Sequence, residues 1–268
     1  MGRLTADRLA RRVEGRRHPV DDFLWEYYAF RPAQLARWHP GPGVALEGAE
    51  DLADRAYYAV TGGTAYLDAP VFLTRRGSTV EFVRDLVTAT LSRPGRFGCF
   101  GLHEWAMVYR AGEEQLRHQG WPLRLGRDGT DAVVESHTVA CSHVDAFRFF
   151  TPEAEPRNTL TPTRERQTEM EQPGCLHAAM DLYKWCFKLA PAVPSDLTLE
   201  AFLLARDVRE LDMRAAPYDL RELGYEPVPI ETAEGKADYV AAQRGFTLRS
   251  NRLRQRLLDV LDALEAPG

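Results

Sequence analysis

Three short segments of the chain each place a histidine close to a cysteine and a carboxylate. The segments are Cys99–Glu104, Cys141–Asp145 and Cys175–Asp181, and their histidines are His103, His143 and His177. Imidazole, thiolate and carboxylate groups bind metals, transfer protons or attack electrophiles. All four cysteines and five of the seven histidines lie between residues 99 and 186. The sequence therefore predicts that the chemistry of the protein is concentrated in this part of the chain.

The three histidine segments predict a metal site if the fold brings them together. His177 and Asp181 share one face of a helix, and His143 and Asp145 share one side of an extended segment. Three such segments leave an open coordination position, as catalytic metals require. One hypothesis is therefore a divalent transition metal in an enzyme that acts on a small polar substrate. Its expected ligands are His103, Glu104, His143 and His177. The alternative is that each histidine is a hydrogen-bonded structural residue.

Aromatic and charged side chains near these segments are candidates for substrate binding. Arg148 lies between two phenylalanines, an arrangement that suits a planar group, although a half-buried strand with one exposed arginine gives the same pattern. In the metal hypothesis, Arg148 and Lys184 hold the charge of the substrate and Tyr183 donates a proton. The predicted substrate-binding residues are Trp105, Phe147, Arg148, Tyr183 and Lys184. Cys175 precedes a predicted helix, whose dipole would lower the pKa of its thiol.

Composition limits the classes of function. The chain has 268 residues, of which 44% are hydrophobic, so it can bury one sizeable core or two small ones. A net charge of −5 gives no general attraction to nucleic acid, and DNA binding would need a local basic patch. Arginines that would supply such a patch are Arg11, Arg12, Arg16, Arg17, Arg31, Arg157, Arg164 and Arg166. We expect no membrane partner, because no apolar run is long enough to span a bilayer. Four cysteines without a framework spacing favour a cytoplasmic location and free thiols or metal ligands over disulfides.

Hydrophobic periodicity predicts a helix-dominated α+β fold, with a basic N-terminal arm or helix over residues 1–17 and a single globular domain over 18–268. A strand prediction covers Trp121–Leu125 and Val133–Cys141, within a small sheet between residues 57 and 140. Residues 151–174 show no periodicity and are expected to form a long surface excursion. In the helix over 205–219, charges alternate so closely with leucines that some must be buried and paired. The predicted helices are 3–15, 79–91, 176–189, 197–213, 234–246 and 249–264.

The chain also resembles an actinobacterial protein family commonly labelled 3-methyladenine DNA glycosylase. The resemblance runs from about His18 to Phe246 and is carried by five segments. They read HPVDDFLWEYYAFRPAQLARWHPGPG, RFGCFGLHEWAMVYR, CSHVDAFRFFTP, EQPGCLHAAMDLYKW and LARDVRELDMRAAPYDL. The resemblance implies a DNA-repair hydrolase that cleaves the N-glycosidic bond of alkylated purines in DNA and needs no cofactor.

A glycosylase would flip the alkylated base into an aromatic pocket, where a carboxylate stabilises the oxocarbenium ion or activates water. Residues 172–179 stand where the helix-hairpin-helix glycosylases have their hairpin, with Leu176 in place of its second glycine, and Asp196 follows at roughly the spacing of their catalytic aspartate. The candidate acids under this resemblance are Asp145, Asp181 and Asp196. The remaining candidate catalytic residues are His177, expected to be essential under either hypothesis, and Glu104, which with Asp181 is a candidate to complete the metal shell. The oligomeric state is not predicted by any of these patterns.

Overall fold

The computed structural model describes residues 2–112, 114, 116 and 120–266, without the side chains of residues 2 and 3. The predicted helix-dominated α+β class with a small sheet is confirmed. The chain divides into two compact units. Unit 1 comprises Met1–Thr88, Asp181–Ala205 and Ser250–Gly268, and unit 2 comprises Ala89–Met180 and Arg206–Arg249. Each unit is described by itself below.

Unit 1 contains short helices and the small sheet. Its N-terminal part has α1 (Gly2–Val13), α2 (Phe23–Tyr27), α3 (Pro32–Leu35), β1 (Ala45–Glu47), β2 (Tyr58–Thr61) and β3 (Thr64–Leu67). The antiparallel sheet has the order β1-β3-β2. The two glycines between β2 and β3, Gly62 and Gly63, both have positive φ (58° and 77°). This conformation is typical of a tight hairpin turn whose twist matches the strands. The sheet covers residues 45–67, whereas the prediction placed it between residues 57 and 140.

The basic N-terminal segment is a helix that is anchored by its arginines. Arg11 on α1 donates to the carboxylate of Asp22 at 2.6 Å, and Arg8 lies 3.8 Å from the same carboxylate. The side chain of Asp22 is only 6% exposed. Burial alone would raise the pKa of Asp22, but hydrogen bonds from Arg11 and the His18 backbone N–H, together with the arginine charges, hold it below its usual value. These contacts fix α1 to the segment that precedes α2.

An aromatic cluster forms the centre of unit 1. The ring of Tyr183 packs edge-on against Tyr28, Phe30 and Phe202, with centroids 5.2–5.6 Å apart. Trp25 in turn packs against Phe202 at 5.1 Å. Edge-to-face pairs at these distances add to the stability that burial of the rings provides.

Unit 2 is built from helices and connecting segments. Its short helices are α5 (Leu102–Ala106), α6 (Gly126–Ser136), α7 (Val144–Phe147) and α8 (Gln167–Met170). Four longer helices have residues in both units: α4 (Ala69–Leu91), α9 (Leu176–Lys188), α10 (Ser195–Ala215) and α11 (Ala233–Glu265). No helix in the described part of the chain is both long and apolar enough to cross a membrane.

The predicted strands over residues 121–125 and 133–141 are wrong. Val133 lies in α6, and residues 126–129, between the two predicted strands, form the first turn of that helix. The buried positions of α6 are Thr130, Val133 and Val134, spaced by three and four residues as on one helix face. Tertiary burial of this face outweighs the β-propensity of the two valines.

Two helix boundaries also differ from the prediction. The long helix α4 begins at Ala69 rather than at residue 79, because the carboxylate of Asp68 accepts a hydrogen bond from the Val71 N–H and Pro70 suits a first turn. The two helices predicted after residue 233 are the single helix α11, capped by the hydroxyl of Thr232, which accepts from the Gly235 N–H. Neither Gly nor Pro interrupts the sequence between the two predicted helices.

The segment of residues 151–174 is not a simple surface excursion. It contains a 3₁₀ turn (Glu155–Arg157) and the helix α8, and it buries Asn158, Gln167 and Glu171. Buried polar side chains in a connecting segment require hydrogen-bond partners. In unit 2 they find them among the residues described next.

Candidate metal centre

The three histidines named from the sequence lie side by side in unit 2. The ring centroid of His177 is 4.5 Å from that of His103 and 5.3 Å from that of His143. All three side chains are buried, with residue exposures of 8%, 5% and 0% for His177, His103 and His143. Residues from three distant segments therefore form one imidazole cluster in the interior of unit 2.

Asp212 on α10 completes a group of potential metal ligands with two of these histidines. One ligand atom each from His103, His177 and Asp212 lies within 4.8 Å of the other two. Within this group, His103 Nε2 and Asp212 Oδ1 are 2.9 Å apart. Neither of these two buried atoms has a hydrogen bond with good geometry to any residue that the structure describes. The two atoms are thus close together without the alignment of an N–H···O hydrogen bond.

This spacing is compatible with two ligands of a single metal. With metal–ligand bonds of about 2.1 Å, adjacent ligand atoms are about 3–3.4 Å apart in octahedral or tetrahedral geometry. The pair of His103 and Asp212 lies near the short end of this range. Two imidazoles and one carboxylate form a donor set that suits zinc or ferrous iron and leaves coordination positions open.

A buried arginine fixes the orientation of Asp212 by donating a hydrogen bond to its second carboxylate oxygen, Oδ2. Arg209 Nη1 donates to Asp212 Oδ2 at 3.2 Å and to Glu104 Oε1 at 3.0 Å. The side chains of Arg209, Glu104 and Asp212 are 2%, 6% and 0% exposed. Because Oδ2 is occupied by the guanidinium, Oδ1 is directed to His103. Glu104, predicted as a ligand or acid, is instead the ion-pair partner of Arg209.

The electrostatics of His103 follow from these neighbours. Burial favours the neutral ring and lowers its pKa, but the negative charge of Asp212, the direct contact of the ring with that carboxylate and the charge of Glu104 outweigh this effect and raise the pKa above its usual value. A site that stabilises a proton on His103 by nearby carboxylates also stabilises a metal cation in its place. A metal must displace that proton, so its affinity rises with pH.

His143 lies beside the group and is held by a separate set of contacts. Its Nε2 is 3.4 Å from Glu171 Oε1, and the same oxygen accepts a hydrogen bond from Gln167. The backbone before it is clamped by Asn158, whose amide exchanges two hydrogen bonds with the N–H and C=O of Cys141 at 2.7 and 2.9 Å. These contacts explain why the 151–174 segment buries polar residues. It fixes the loop that carries His143.

The start of α9 positions His177. A Cβ on Gly174 would lie 2.5 Å from the backbone oxygen of Arg96, so only glycine fits there. Gln172 Oε1 accepts hydrogen bonds from the N–H groups of Gly174 and Arg96, both at 2.8 Å. Gln243 on α11 donates to the Gly174 carbonyl at 2.5 Å. The Pro-Gly sequence thus allows a close backbone contact that fixes the first turn of α9.

The carboxylates predicted as glycosylase acids lie in separate ion pairs. In unit 2, Asp145 is paired with Arg164 and lies 3.7 Å from Arg148. In unit 1, Asp181 accepts a hydrogen bond from the hydroxyl of Tyr28 at 2.8 Å and is paired with Lys184.

Asp196, also in unit 1, is 66% exposed and paired with Arg256 at 2.9 Å. It lines a cavity of about 500 Å³ together with Trp38 and Phe187, among other residues of unit 1.

The predicted substrate-binding residues are likewise distributed. Trp105 is fully buried and donates its indole N–H to the Ala215 carbonyl at 2.8 Å. Phe147 packs against Phe150, and the exposed Arg148 lies over the ring of Phe149. Tyr183 belongs to the aromatic cluster of unit 1, where Lys184 covers the ring of Trp185. None of these predicted substrate-binding residues belongs to the group of His103, His177 and Asp212.

The predicted lowering of the Cys175 pKa is not found. Cys175 is only 9% exposed, and burial raises its pKa well above the usual value, with further increases from the nearby Cys141 and Cys99. The desolvation of the thiolate therefore outweighs the helix dipole. All four cysteines are free thiols.

Most of the arginines proposed for a DNA-binding patch have acidic partners. The pairs are Arg11–Asp22, Arg16–Glu14, Arg157–Glu135, Arg164–Asp145 and Arg166–Glu169. Each acid offsets the charge that its arginine would offer to phosphate. The basic patch required by a DNA-binding function gains no support from these residues.

Sequence reasoning did not predict that Asp212, Arg209 and Glu171 would belong to this cluster. The helix around Asp212 is predicted to bury some of its charges. The buried ones can be identified as the charged residues that share a helix face with the apolar residues. Arg209 and Asp212 are spaced by three residues on the same side as the buried Val208 and Leu211.

Comparisons of the chain with protein-family models, with curated proteins and with solved structures found no match.

Proposed function

We propose that this protein is a metal-dependent enzyme that acts on a small polar substrate, with a divalent transition metal bound by His103, His177 and Asp212. The observation that carries the proposal is the pair of buried atoms His103 Nε2 and Asp212 Oδ1, 2.9 Å apart and without hydrogen-bond alignment. Buried polar atoms are normally hydrogen-bonded, so such a pair calls for a shared partner. A cation is the partner that suits both.

The donor set supports a catalytic rather than a closed structural site. Structural zinc sites use four protein ligands, mostly cysteine and histidine, whereas catalytic sites use three and leave a position for water or substrate. Here one aspartate and two histidines converge, and Arg209 fixes the aspartate as a hydrogen-bonding residue behind a metal ligand does. When bound, the metal would supply a Lewis acid that activates water at neutral pH.

The burial of the group supports a small substrate. His103, His177 and Asp212 are each more than nine-tenths buried. A reactant that reaches their ligand atoms must therefore be small. The burial of these ligand atoms favours a small polar reactant over a nucleotide within duplex DNA.

Metal analysis of purified variants tests the proposal. We expect about one zinc, iron, manganese or cobalt per chain in the wild-type protein purified without chelators, and less than about a tenth of that in Asp212→Asn. The matched control is Asp207→Asn on the same helix, where the side chain is 37% exposed and paired with Arg249. It should keep its metal. Equal metal content in all three proteins would contradict the assignment of Asp212.

The same preparations decide between this function and a DNA glycosylase. Hydrolysis of small esters, amides or phosphoesters that is lost on chelation, restored by metal and absent in Asp212→Asn supports the metal-dependent enzyme. A metal-free wild-type protein that releases methylated purine from duplex DNA would overturn it in favour of the glycosylase. The glycosylase activity stays a prediction until that measurement.

A further inference from the structure

Unit 1 has a cavity of its own, with a volume of about 500 Å³. All of its lining residues belong to unit 1. Its volume lies within the range of about 300–1,000 Å³ that is typical of binding sites for small molecules. Apolar side chains, among them Trp38, Phe187 and Leu199, form more than half of the lining, and a few polar side chains lie between them. This combination is also typical of such sites.

An exposed tryptophan on a fixed backbone forms one wall of the cavity. Trp38 is 63% exposed, but the residues on both sides of it are hydrogen-bonded to Ser195. The Arg37 carbonyl accepts a hydrogen bond from Ser195 Oγ at 3.3 Å. The His39 N–H donates to the same Oγ at 2.8 Å, and the His39 carbonyl accepts from the Ser195 N–H at 2.9 Å. The backbone that carries this indole is therefore already ordered, which lowers the entropy cost of binding a flat ring.

The second aromatic wall is held from behind by other rings. Phe187 is half-buried, and its ring is stacked on that of Phe30 with centroids 3.7 Å apart. Phe30 in turn packs edge-on against Tyr183 at 5.4 Å, within the aromatic cluster of unit 1. Contacts between aromatic rings contribute more than the burial of the same area alone. Two fixed aromatic side chains in one cavity therefore favour an aromatic ligand over an aliphatic one.

The acid that lines the cavity is already paired. Asp196 lies 2.9 Å from Arg256, and the same guanidinium lies 2.6 Å from Glu200. These three groups together carry one negative charge. A ligand that needs a cation cannot use Arg256 without competing with both of its carboxylates.

Two arginines supply positive charge at the other side chains of the lining. Arg37 lines the cavity, and no residue in the described part of the chain forms a hydrogen bond or ion pair with its guanidinium. Burial lowers the pKa of His39, and the charges of Arg55 and Arg37 lower it further, so this ring is uncharged at neutral pH. The two arginines outweigh the single negative charge of the Asp196 group. Arg37 is thus a cation that can form charge-assisted hydrogen bonds with an anionic ligand.

We propose that this cavity binds a small aromatic molecule with one anionic group, whose ring lies against Trp38 and Phe187 and whose anion is bound by Arg37. Asp196 disfavours a second negative charge, so a monoanion fits the cavity better than a dianion such as a phosphate monoester. The proposal does not depend on the metal, because none of the three proposed metal ligands lines the cavity.

The indole N–H resonances in ¹H–¹⁵N NMR spectra report on the cavity directly. The chain has five tryptophans, and the resonance of Trp38 is the one missing from the spectrum of Trp38→Phe. The probes are phenylacetate, the neutral phenylacetamide, and cyclohexylacetate, which keeps the charge but has no aromatic ring. Phenylacetate should shift the Trp38 resonance saturably, with a Kd on the order of 1–10 mM. It should leave the resonance of Trp121, a half-buried tryptophan of unit 2, unchanged.

The other two probes test the two parts of the ligand class. Phenylacetamide should bind at least about 10 times more weakly than phenylacetate, because it lacks the charge-assisted hydrogen bonds to Arg37. Cyclohexylacetate should bind about 3 times more weakly, because it lacks the ring contacts with Trp38 and Phe187. Arg37→Gln should bind phenylacetate as weakly as the wild-type protein binds phenylacetamide. The matched control is Arg17→Gln, which removes an exposed arginine of unit 1 that does not line the cavity and should keep the wild-type affinity.

Each part of the proposal has its own contradicting result. A Trp38 resonance that phenylacetate does not shift saturably overturns the site. Equal affinities for phenylacetate and phenylacetamide overturn the anionic class, and equal affinities for phenylacetate and cyclohexylacetate overturn the aromatic class. An Arg37→Gln protein with the wild-type affinity for phenylacetate overturns the role of Arg37.

Discussion

Arg209 is the residue whose removal should most directly reveal how the centre is stabilised. Its Nη1 lies 3.0 Å from Glu104 Oε1 and 3.2 Å from Asp212 Oδ2, and all three side chains are at most 6% exposed. Arg209→Met keeps much of the volume but leaves two buried carboxylates without their cation. Breaking a buried pair in this way costs about 3–5 kcal/mol. For a chain of this size that corresponds to a decrease of about 6–20 °C in Tm.

A bound metal should reduce this loss. The cation and the guanidinium are both counter-charges of Asp212, so a metal at His103, His177 and Asp212 compensates part of what the arginine supplied. At 100 times its Kd, a metal that binds only the folded protein adds about 2.7 kcal/mol to stability. We expect the difference between wild type and Arg209→Met to be at least about 1 kcal/mol smaller in saturating Zn²⁺ than in EDTA.

Urea unfolding followed by far-UV circular dichroism, in EDTA and in Zn²⁺, gives both quantities. The control is Arg206→Met on the same helix, where the side chain is 49% exposed and lies 3.7 Å from Asp207. It should change stability by less than about 0.5 kcal/mol. An Arg209→Met protein within about 1 kcal/mol of wild type in EDTA would refute the reasoning about the ion pair. An equal loss with and without Zn²⁺ would refute the coupling to the metal.

Two further predictions concern the charge and thiol states of single residues. The pKa of Asp22 is held below its usual value of 3.8, so its pairing with Arg11 stabilises the protein above that pH and is lost as pH falls through the lower folded value. The unfolding free energy of wild type should exceed that of Asp22→Asn by about 1.5–3 kcal/mol at pH 7, and the difference should shrink below pH 4; a constant difference down to pH 2.5 would contradict the assignment. Cys175, with its raised pKa and buried thiol, should react with iodoacetamide at pH 8 at least about 10 times more slowly in the folded than in the urea-unfolded protein, as measured by peptide mass spectrometry. Equal rates would show that the thiol is accessible.

The sequence was sufficient for the fold class and for the helices with a clear apolar face. The helix α9 begins at Leu176, as its Pro-Gly start predicts, and α10 and α1 agree with their predicted ranges within a few residues. The prediction from sequence failed at Val133 and Val134, because β-branched residues next to a Gly-rich segment are typical of a strand. Only the tertiary contacts of α6 make this segment a helix.

Of the candidate centre, the sequence indicated the histidines but not the carboxylate. Three cysteine–histidine segments drew attention to His103 and His177, whereas Asp212 lies in a helix crowded with charges. Which of those charges is buried depends on how α10 packs within its unit, and local patterns do not encode that.

The proposed ligands come from α5, α9 and α10, which are separated by long stretches of chain. A metal bound by all three would act on the unfolded chain as a cross-link does, because holding distant residues together closes two large loops and removes conformational entropy. The cross-link would be complete once α10 supplies the third ligand. Bound metal would therefore add to the stability of unit 2 as well as to the activity of the protein.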